Sequence, residues 1–143
     1  MSIHFFFHET TAVLHNRLRL KKFLKELFTR EGKQLQALDF IFCKDNYLLN
    51  INQSFLKHDT YTDIVTFDLS DPAENGIRGE IYISTERVKE NADRFAASYE
   101  HELHRVMFHG ALHLCGYRDK KVAEKETMRR KENENLDLYF NYP

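Results

Sequence analysis

Two histidines in the C-terminal half of the chain have the spacing of metal ligands on a helix. His109 and His113 stand four residues apart in the run HGALHLCGYRD, residues 109–119. On an α-helix this spacing places both imidazoles on one face, where they can converge on a single ion. Gly116 is a residue at which the helix can end, because glycine adopts the left-handed conformation of a C-terminal cap without a Cβ penalty. The chain can then turn back and bring Asp119 towards the histidine pair.

Two imidazoles and a carboxylate form a three-ligand set that leaves one coordination position of Zn²⁺ open for water. We therefore expect one zinc ion per chain, held by His109, His113 and Asp119, and hydrolysis by an activated water. Gly110 stands where the H-E-x-x-H metalloproteases carry their general base, which argues against ordinary peptide hydrolysis. The alternative interpretation is a helix end built for packing, in which both histidines are hydrogen-bonded polar residues without a metal.

The composition is that of an ordinary globular chain. Its 143 residues fit one domain over residues 1–143, and 42% of them are hydrophobic and 30% charged. The formal net charge is −1, so no general positive field attracts nucleic acid. Any contact with RNA would have to come from a local basic cluster, and the alternative for each cluster is a solvated helix face. The candidates are Arg17, Arg19, Lys21, Lys22, Lys25, Lys120, Lys121, Arg129, Arg130 and Lys131.

The two cysteines, Cys43 and Cys115, lie in apolar surroundings and show neither a C-x-x-C motif nor the spacing of a disulfide framework. We expect both to be buried thiols in a reducing compartment. The first residues lack the basic and apolar regions of a signal peptide, and no apolar run reaches the length of a membrane span. The expected location is therefore the cytoplasm.

Strand and helix signals alternate along the chain. β-Branched and aromatic runs predict strands at residues 3–7, 35–43, 64–67 and 79–83. Apolar residues at helical spacing predict about five helices: one through Leu14, Leu18, Leu24, Leu27 and Phe28, one capped by Asp45, and three over about 84–95, 99–115 and 122–136. A loop alone joins the strands at 64–67 and 79–83, which predicts a mixed four-stranded sheet rather than a doubly wound parallel one.

Three ordered blocks of this sequence resemble the YbeY family of metal-dependent endoribonucleases. The family signature reads approximately H-G-x-L-H-L-x-G-Y-D-H, and the residues that match it in register are His109, Gly110, Leu112, His113, Leu114, Gly116 and Tyr117. Residues 62–67 (TDIVTF) resemble the family's T-D-V-L-S-F strand, with Leu49 and Asn50 upstream, and residues 79–81 (GEI) resemble its G-D-I strand start. The similarity covers about residues 49–128 and is far more specific than the histidine spacing alone.

The resemblance implies a one-domain α/β fold of the α+β kind, with a mixed four-stranded sheet, about five helices and a zincin-like helix that carries the metal ligands. It implies a bacterial cytoplasmic role in ribosomal RNA maturation, notably at the 3′ end of the small-subunit RNA, and in ribosome quality control. The expected partners are single-stranded RNA, ribosomal RNA and the small ribosomal subunit, with no membrane. The expected reaction is metal-dependent hydrolysis of a phosphodiester bond.

The chain departs from the family at the third ligand. Asp119 stands where the family has a histidine, and Arg118 stands where the family has an aspartate. A carboxylate binds zinc at a similar bond length, so the substitution preserves coordination and adds one negative charge. That charge should make the ion less electrophilic and could change which metal is preferred.

A second departure concerns the group that binds phosphate. The family usually carries an arginine six residues before the T-D block, and Leu56 stands there in this chain. Lys57 and His58 are the candidate substitutes, unless they belong to a solvated loop. Thr62 and Asp63 lie on a loop that enters a strand, where they either order the attacking water or the RNA backbone, or form only a turn and a strand start. These four residues complete the set of candidate catalytic residues.

Two other functions fit parts of the sequence. One is a zinc peptidase, because metzincins share the histidine–glycine–third-ligand spacing, although the missing glutamate after His109 counts against it. The other is a non-catalytic ribosome-assembly factor with a structural metal. A structural site would be completed by a fourth protein ligand, such as Cys115 or His104.

Overall fold

Helices and strands follow the predicted order in the computed structural model, which describes residues 2–56 and 62–141. The candidate residues Lys57 and His58 therefore lie outside the described residues. In chain order the elements are β1 (Ser2–Phe7), α1 (Arg17–Arg30), β2 (Leu35–Cys43), α2 (Asp45–Leu56), β3 (Ile64–Asp68), β4 (Ile77–Ser84), α3 (Thr85–Arg94), α4 (Tyr99–Leu114) and α5 (Val122–Asn141).

The four strands form one mixed sheet in the order β1-β2-β4-β3. The pairs β1–β2 and β2–β4 are parallel, and each is linked along the chain by at least one helix. The pair β3–β4 is antiparallel, with Thr66 opposite Ile81, because only the loop of residues 69–76 separates these strands. The structure thus confirms the predicted mixed four-stranded sheet with five helices.

Helix α4 packs closely against the sheet through a glycine. A Cβ added at Gly110 would lie 2.9 Å from Cδ1 of Ile64 and 2.9 Å from Cδ1 and Cγ2 of Ile81, so no larger residue fits without movement. Ile64 belongs to β3 and Ile81 to β4. The close approach sets α4 beside the antiparallel strand pair, and the neighbouring residue His109 consequently lies next to β3.

The core has two parts, one on each face of the sheet. The larger cluster joins β1, β2 and β4 with α1, α4 and α5, and includes Phe28, Phe40, Phe42, Ile81 and Phe108. A smaller cluster beneath α2 consists of Cys43, Leu48, Ile51 and Val65, with Tyr47, Phe67 and Tyr82 packed against it. Successive residues of β3 and β4 alternate between the two clusters, as the pleat of a strand requires.

Several predicted details were wrong at the ends of elements. Leu14 precedes α1, which begins at Arg17, and Leu18 is 82% exposed although its spacing predicted an apolar position. Asp45 is the first residue of α2, and its carboxylate accepts hydrogen bonds from Arg87 and Ser84 instead of capping the helix. The local sequence could not reveal these partners, because they lie about 40 residues further along the chain.

Cys43 and Cys115 are both free and buried, as predicted. Burial raises the pKa of each thiol to about 12, so neither is a thiolate at neutral pH. Within residues 2–56 and 62–141, no helix combines the length and the hydropathy needed to cross a membrane.

Candidate metal centre

Helix α4 is defined at both ends by capping interactions. The Ser98 side chain accepts a hydrogen bond from the backbone N–H of His101 at the start of the helix. At the other end, Gly116 has a φ of 105°, its N–H donates to the carbonyl of His113, and the N–H of Tyr117 donates to the carbonyl of Leu112. These two bonds form a Schellman motif, so Gly116 ends the helix by the predicted left-handed cap.

The two predicted histidine ligands lie on one face of α4. The ring centroids of His109 and His113 are 4.6 Å apart and the rings are nearly perpendicular. After the turn at Gly116 the chain returns, and Asp119 Oδ2 lies 3.3 Å from Nε2 of each histidine. The structure therefore brings together the three residues that the spacing singled out.

Both imidazoles are oriented by a second interaction on their other nitrogen. Nδ1 of His109 lies 2.6 Å from Glu132 Oε2, and Nδ1 of His113 lies 2.8 Å from the backbone carbonyl of Tyr117. A carboxylate and a carbonyl only accept hydrogen bonds, so each Nδ1 donates its proton. With the proton on Nδ1, Nε2 is the atom of each ring that can coordinate an ion, and both Nε2 atoms face Asp119.

This donor set fits a divalent ion of the zinc type. Two imidazole nitrogens and one carboxylate oxygen converge here. These three ligand atoms lie within 4.8 Å of one another. Two ligand atoms about 2.1 Å from a common tetrahedral ion lie about 3.4 Å apart, close to the 3.3 Å observed between Asp119 and each histidine.

Neither residue proposed as a fourth ligand joins the group. In the part of the chain that the structure describes, the three-residue group is the one set of His, Cys, Asp and Glu side chains placed to hold an ion. His104 is fully buried, donates from Nδ1 to the carbonyl of Glu100 and stacks on Tyr139. Cys115 packs in the apolar cluster between the sheet and the helices. The predicted three-ligand set is therefore not extended to a closed four-ligand site by either residue.

Behind His109 lies a buried ionic network that the sequence analysis missed. Arg105 donates to Glu132 Oε1 at 2.9 Å and to Glu102 Oε1 at 2.9 Å, and both carboxylates are 3% exposed. Its guanidinium also lies 3.9 Å from Asp63. One signal in the sequence pointed to Glu132: it occupies a helical stripe whose other members, Met128, Leu136 and Tyr139, are apolar.

Charges in this network shift the pKa values in different directions. Burial alone would raise the pKa of Glu132, but the hydrogen bond and charge of His109 together with Arg105 hold it below its ordinary value. Burial raises the pKa of Asp63, and the attraction of Arg105 offsets only part of that effect. Arg105 keeps its charge, because its two carboxylate partners outweigh its burial and raise its pKa.

The candidate ligands open onto a cleft of about 610 Å³. One wall comes from residues 62–66 at the start of β3, and the other comes from Arg105, His109 and His113 of α4. Thr62 and Asp63, both candidate catalytic residues, thus line the same cleft as the histidines. Thr62 Oγ1 donates to the carbonyl of Ile64, and Asp63 accepts a hydrogen bond from Asn91, so both also support the local fold.

Two cations line this cleft in the described chain, Arg105 and Lys120. Arg105 is bound by two carboxylates, whereas Lys120 is exposed and has no ion-pair partner in residues 2–56 and 62–141. Many of the other predicted basic residues serve the fold instead. Arg17, Arg19 and Lys21 lie over the rings of Phe7, Tyr139 and Phe5, while Arg130 and Lys131 pair with Glu134 and Glu31.

Comparison of the sequence with known proteins identifies one family throughout. The family model described as Endoribonuclease YbeY matches residues 7–139. The chain is 46% identical to the Endoribonuclease YbeY of Christiangramia forsetii over 94% of this chain and 92% of that protein. It is 45% identical to that of Cytophaga hutchinsonii over 96% of this chain and 95% of the relative. Over a shorter region, 76% of each chain, it is 55% identical to the protein of Flavobacterium psychrophilum.

The fold is also found in a protein of Thermotoga maritima whose structure was determined in solution. The two structures superpose with a TM-score of 0.65 at 27% sequence identity. The match covers 98% of this chain and 90% of that chain, so the similarity includes the sheet and all five helices.

Proposed function

This chain belongs to the YbeY family of endoribonucleases and is accordingly a hydrolase of RNA phosphodiester bonds; from that premise we infer how its own residues perform the reaction and on which RNA. We propose that it cleaves single-stranded RNA in ribosomal RNA processing, at the 3′ end of the small-subunit RNA, and contributes to ribosome quality control. The small ribosomal subunit is the proposed partner, the cytoplasm the proposed location, and residues 1–143 the proposed single catalytic domain.

The observation that supports this proposal is the convergence of Nε2 of His109, Nε2 of His113 and Oδ2 of Asp119 at one end of the cleft. We propose that these three atoms hold one Zn²⁺ ion per chain. The bound ion supplies a Lewis acid that activates water and neutralises charge on the scissile phosphate. Three protein ligands leave room for substrate and water, as in catalytic rather than structural zinc sites.

The chain's own residues then bind and orient the RNA. Lys120 is an exposed cation that lines the cleft beside the candidate ligands, and we propose that its ammonium group binds a phosphate oxygen of the substrate. This role compensates for Leu56, which cannot bind phosphate. Thr62 and Asp63, on the opposite wall, are placed to order water or the RNA backbone within the same cleft.

Unpaired RNA is the substrate that this arrangement favours. The ligands lie partly buried at the end of a cleft, with His109 16% and His113 27% exposed. A single strand can bend its backbone into such a cleft, whereas a duplex presents its phosphates on a wide rigid surface.

The proposal is tested by metal analysis together with RNA cleavage. Purified wild-type protein should contain about one zinc ion per chain and cleave a labelled single-stranded RNA faster than the same sequence in a duplex. His113→Ala should lose both the metal and the cleavage. Digestion of casein by the wild-type protein would favour a peptidase, and metal-loaded protein that binds RNA without cleaving it would favour an assembly factor.

A further inference from the structure

Glu132 is a buried carboxylate of α5 whose hydrogen-bond partners lie on α4. It is 3% exposed, lies on a helix otherwise rich in exposed charges, and reaches across to α4. Its Oε2 accepts from Nδ1 of His109 at 2.6 Å, and its Oε1 accepts from Arg105 at 2.9 Å. Burying an ionised carboxylate is costly unless partners satisfy it, and here each oxygen has a separate partner.

Arg105 holds this carboxylate in place. Its guanidinium also makes two contacts with Glu102, three residues earlier on the same helix. Since Glu102 and Glu132 are equally buried at 3% exposed, the two carboxylates differ chiefly in what else they touch. Glu132 contacts a candidate ligand, and Glu102 does not.

We propose that Glu132 is a positioning residue of the metal centre: its carboxylate fixes the orientation of His109 and the tautomer in which the Nε2 lone pair faces Asp119. Helix α5 thereby contributes to metal affinity without supplying a ligand. This inference rests on the proposed function, because it presupposes that His109 binds the ion. Carboxylate partners of this kind hold metal-binding histidines in many sites, and their loss typically weakens metal binding about 10- to 100-fold.

Glutamine at position 132 separates the two tasks of the carboxylate. Its amide has one acceptor oxygen, which cannot serve both Arg105 and His109. When the oxygen faces Arg105, the NH2 group faces Nδ1 of His109 and favours the tautomer with its proton on Nε2. That proton lies where the ligand lone pair should be, so the ring must reorient or change tautomer before it can bind an ion.

The test compares Glu132→Gln with Glu102→Gln, a control of equal burial that also binds Arg105 but does not contact a candidate ligand. The zinc affinity of each full-length variant is measured by competition with a chromophoric chelator, and the thermal unfolding of the metal-free proteins is recorded in parallel. We expect Glu132→Gln to bind zinc about 10- to 100-fold more weakly than wild type. Glu102→Gln should retain nearly wild-type zinc affinity, even if its metal-free Tm falls as much as that of Glu132→Gln.

The outcomes are distinguishable. Equal affinity of Glu132→Gln and wild type, or an equal loss in Glu102→Gln, would overturn the positioning role while leaving the metal centre intact. A wild-type protein that binds no zinc would overturn both this inference and the proposed metal centre.

A measurement on the wild type alone guards against variants that do not fold. Long-range ¹⁵N–¹H spectra of the metal-free protein report which ring nitrogen of each histidine carries the proton. We expect the proton of His109 on Nδ1 in the wild type. A proton on Nε2 of His109 with none on Nδ1 would contradict the proposal without any substitution.

Discussion

Asp119 supplies the one negative charge among the three side chains that converge beyond the end of α4. Its Oδ2 lies 3.3 Å from both histidine Nε2 atoms, so it completes the donor set from a different segment of the chain. A third ligand on a turn is geometrically independent of the helix. Its identity can therefore change without altering how the two histidines are held.

We expect Asp119→Ala to weaken zinc binding by more than about 100-fold, because a protein ligand is lost rather than the partner of a ligand. Asp119→His should bind zinc more tightly than Asp119→Ala, since imidazole is also a zinc ligand of similar bond length. Chelator competition measures both. Wild-type affinity in Asp119→Ala would show that Asp119 is not a ligand.

Substitution of Lys120 should affect RNA binding rather than metal binding. We expect Lys120→Ala to raise KM for single-stranded RNA with a smaller change in kcat, because a phosphate contact is lost. Each such contact contributes a slope of about −0.7 to log K against log salt concentration for single strands, so the slope should become less negative by about 0.7. Lys44→Ala, which removes an exposed lysine between β2 and α2 that belongs to none of the candidate basic clusters, is the control. An unchanged salt slope would remove Lys120 from the RNA contact.

Asp63 makes a prediction about stability. Its pKa is raised by burial, so its ionisation is less favourable in the folded than in the unfolded protein. Stability is therefore lost as pH rises from the unfolded pKa of about 3.9 through the higher folded value. Metal-free Asp63→Asn should have a higher Tm than wild type at neutral pH, and the difference should vanish in acid. A lower Tm of the variant at neutral pH would show that attraction to Arg105 outweighs burial.

At the residue scale, the sequence predicted the side chains whose spacing is local. His109, His113 and Asp119 lie within eleven residues and are joined by a helix and one glycine turn, so local geometry brings them together. Glu132 and Arg105 were missed, because a residue's role as a partner depends on which face of α5 meets α4. That packing is a tertiary property, and the apolar stripe through Met128 and Leu136 was its one trace in the sequence.

At the scale of elements, Gly110 determines how closely α4 approaches the sheet. Gly110→Ala gains helix propensity of about 1 kcal/mol but forces a Cβ to within 2.9 Å of the two isoleucines, a clash that typically costs about 1–3 kcal/mol. We expect the variant to have a lower Tm than wild type. Adding Ile81→Val, which removes one of the clashing methyl groups, should recover part of the loss. A stabilised Gly110→Ala would show that the isoleucine side chains move aside easily.

The ends of elements were the least predictable feature at this scale. Helix α5 was expected over residues 122–136 and extends to Asn141, where Tyr139 packs against Phe23 and stacks on His104. Its last turn is therefore held by aromatic contacts from distant helices. Such contacts are tertiary, so residues 137–141 (DLYFN) did not by themselves show where the helix ends.

At the scale of the whole molecule, the metal centre and the core are separate. The candidate ligands lie at the surface end of α4, whereas the core between the sheet and helices contains the large buried side chains. We therefore expect chelation of the metal, or His113→Ala, to leave the far-UV circular dichroism unchanged. The free energy of unfolding should fall only by the lost binding energy, which is about 2.7 kcal/mol when free zinc is at 100 times Kd. The Tm should fall accordingly. Unfolding on chelation would show that the ion is structural.

The mixed type of the sheet was predictable because few arrangements are compatible with the strand and helix patterns in the sequence. Four strand runs, five helix signals and one loop-only connection restrict the sheet to a mixed type. The order β1-β2-β4-β3 was not predictable in this way, since which strand lies at the edge depends on how the helices pack on both faces.

The two walls of the cleft come from different parts of the sequence, which affects how each can be altered by mutation. Every residue proposed to hold or orient the ion lies between Arg105 and Glu132, in two adjacent helices and the turn that joins them. The facing wall of the cleft belongs to β3, an edge strand some forty residues earlier. The residues proposed to hold the ion and the β3 wall that faces them are thus encoded in separate stretches of the gene, so the wall can be engineered while the ligand set stays fixed.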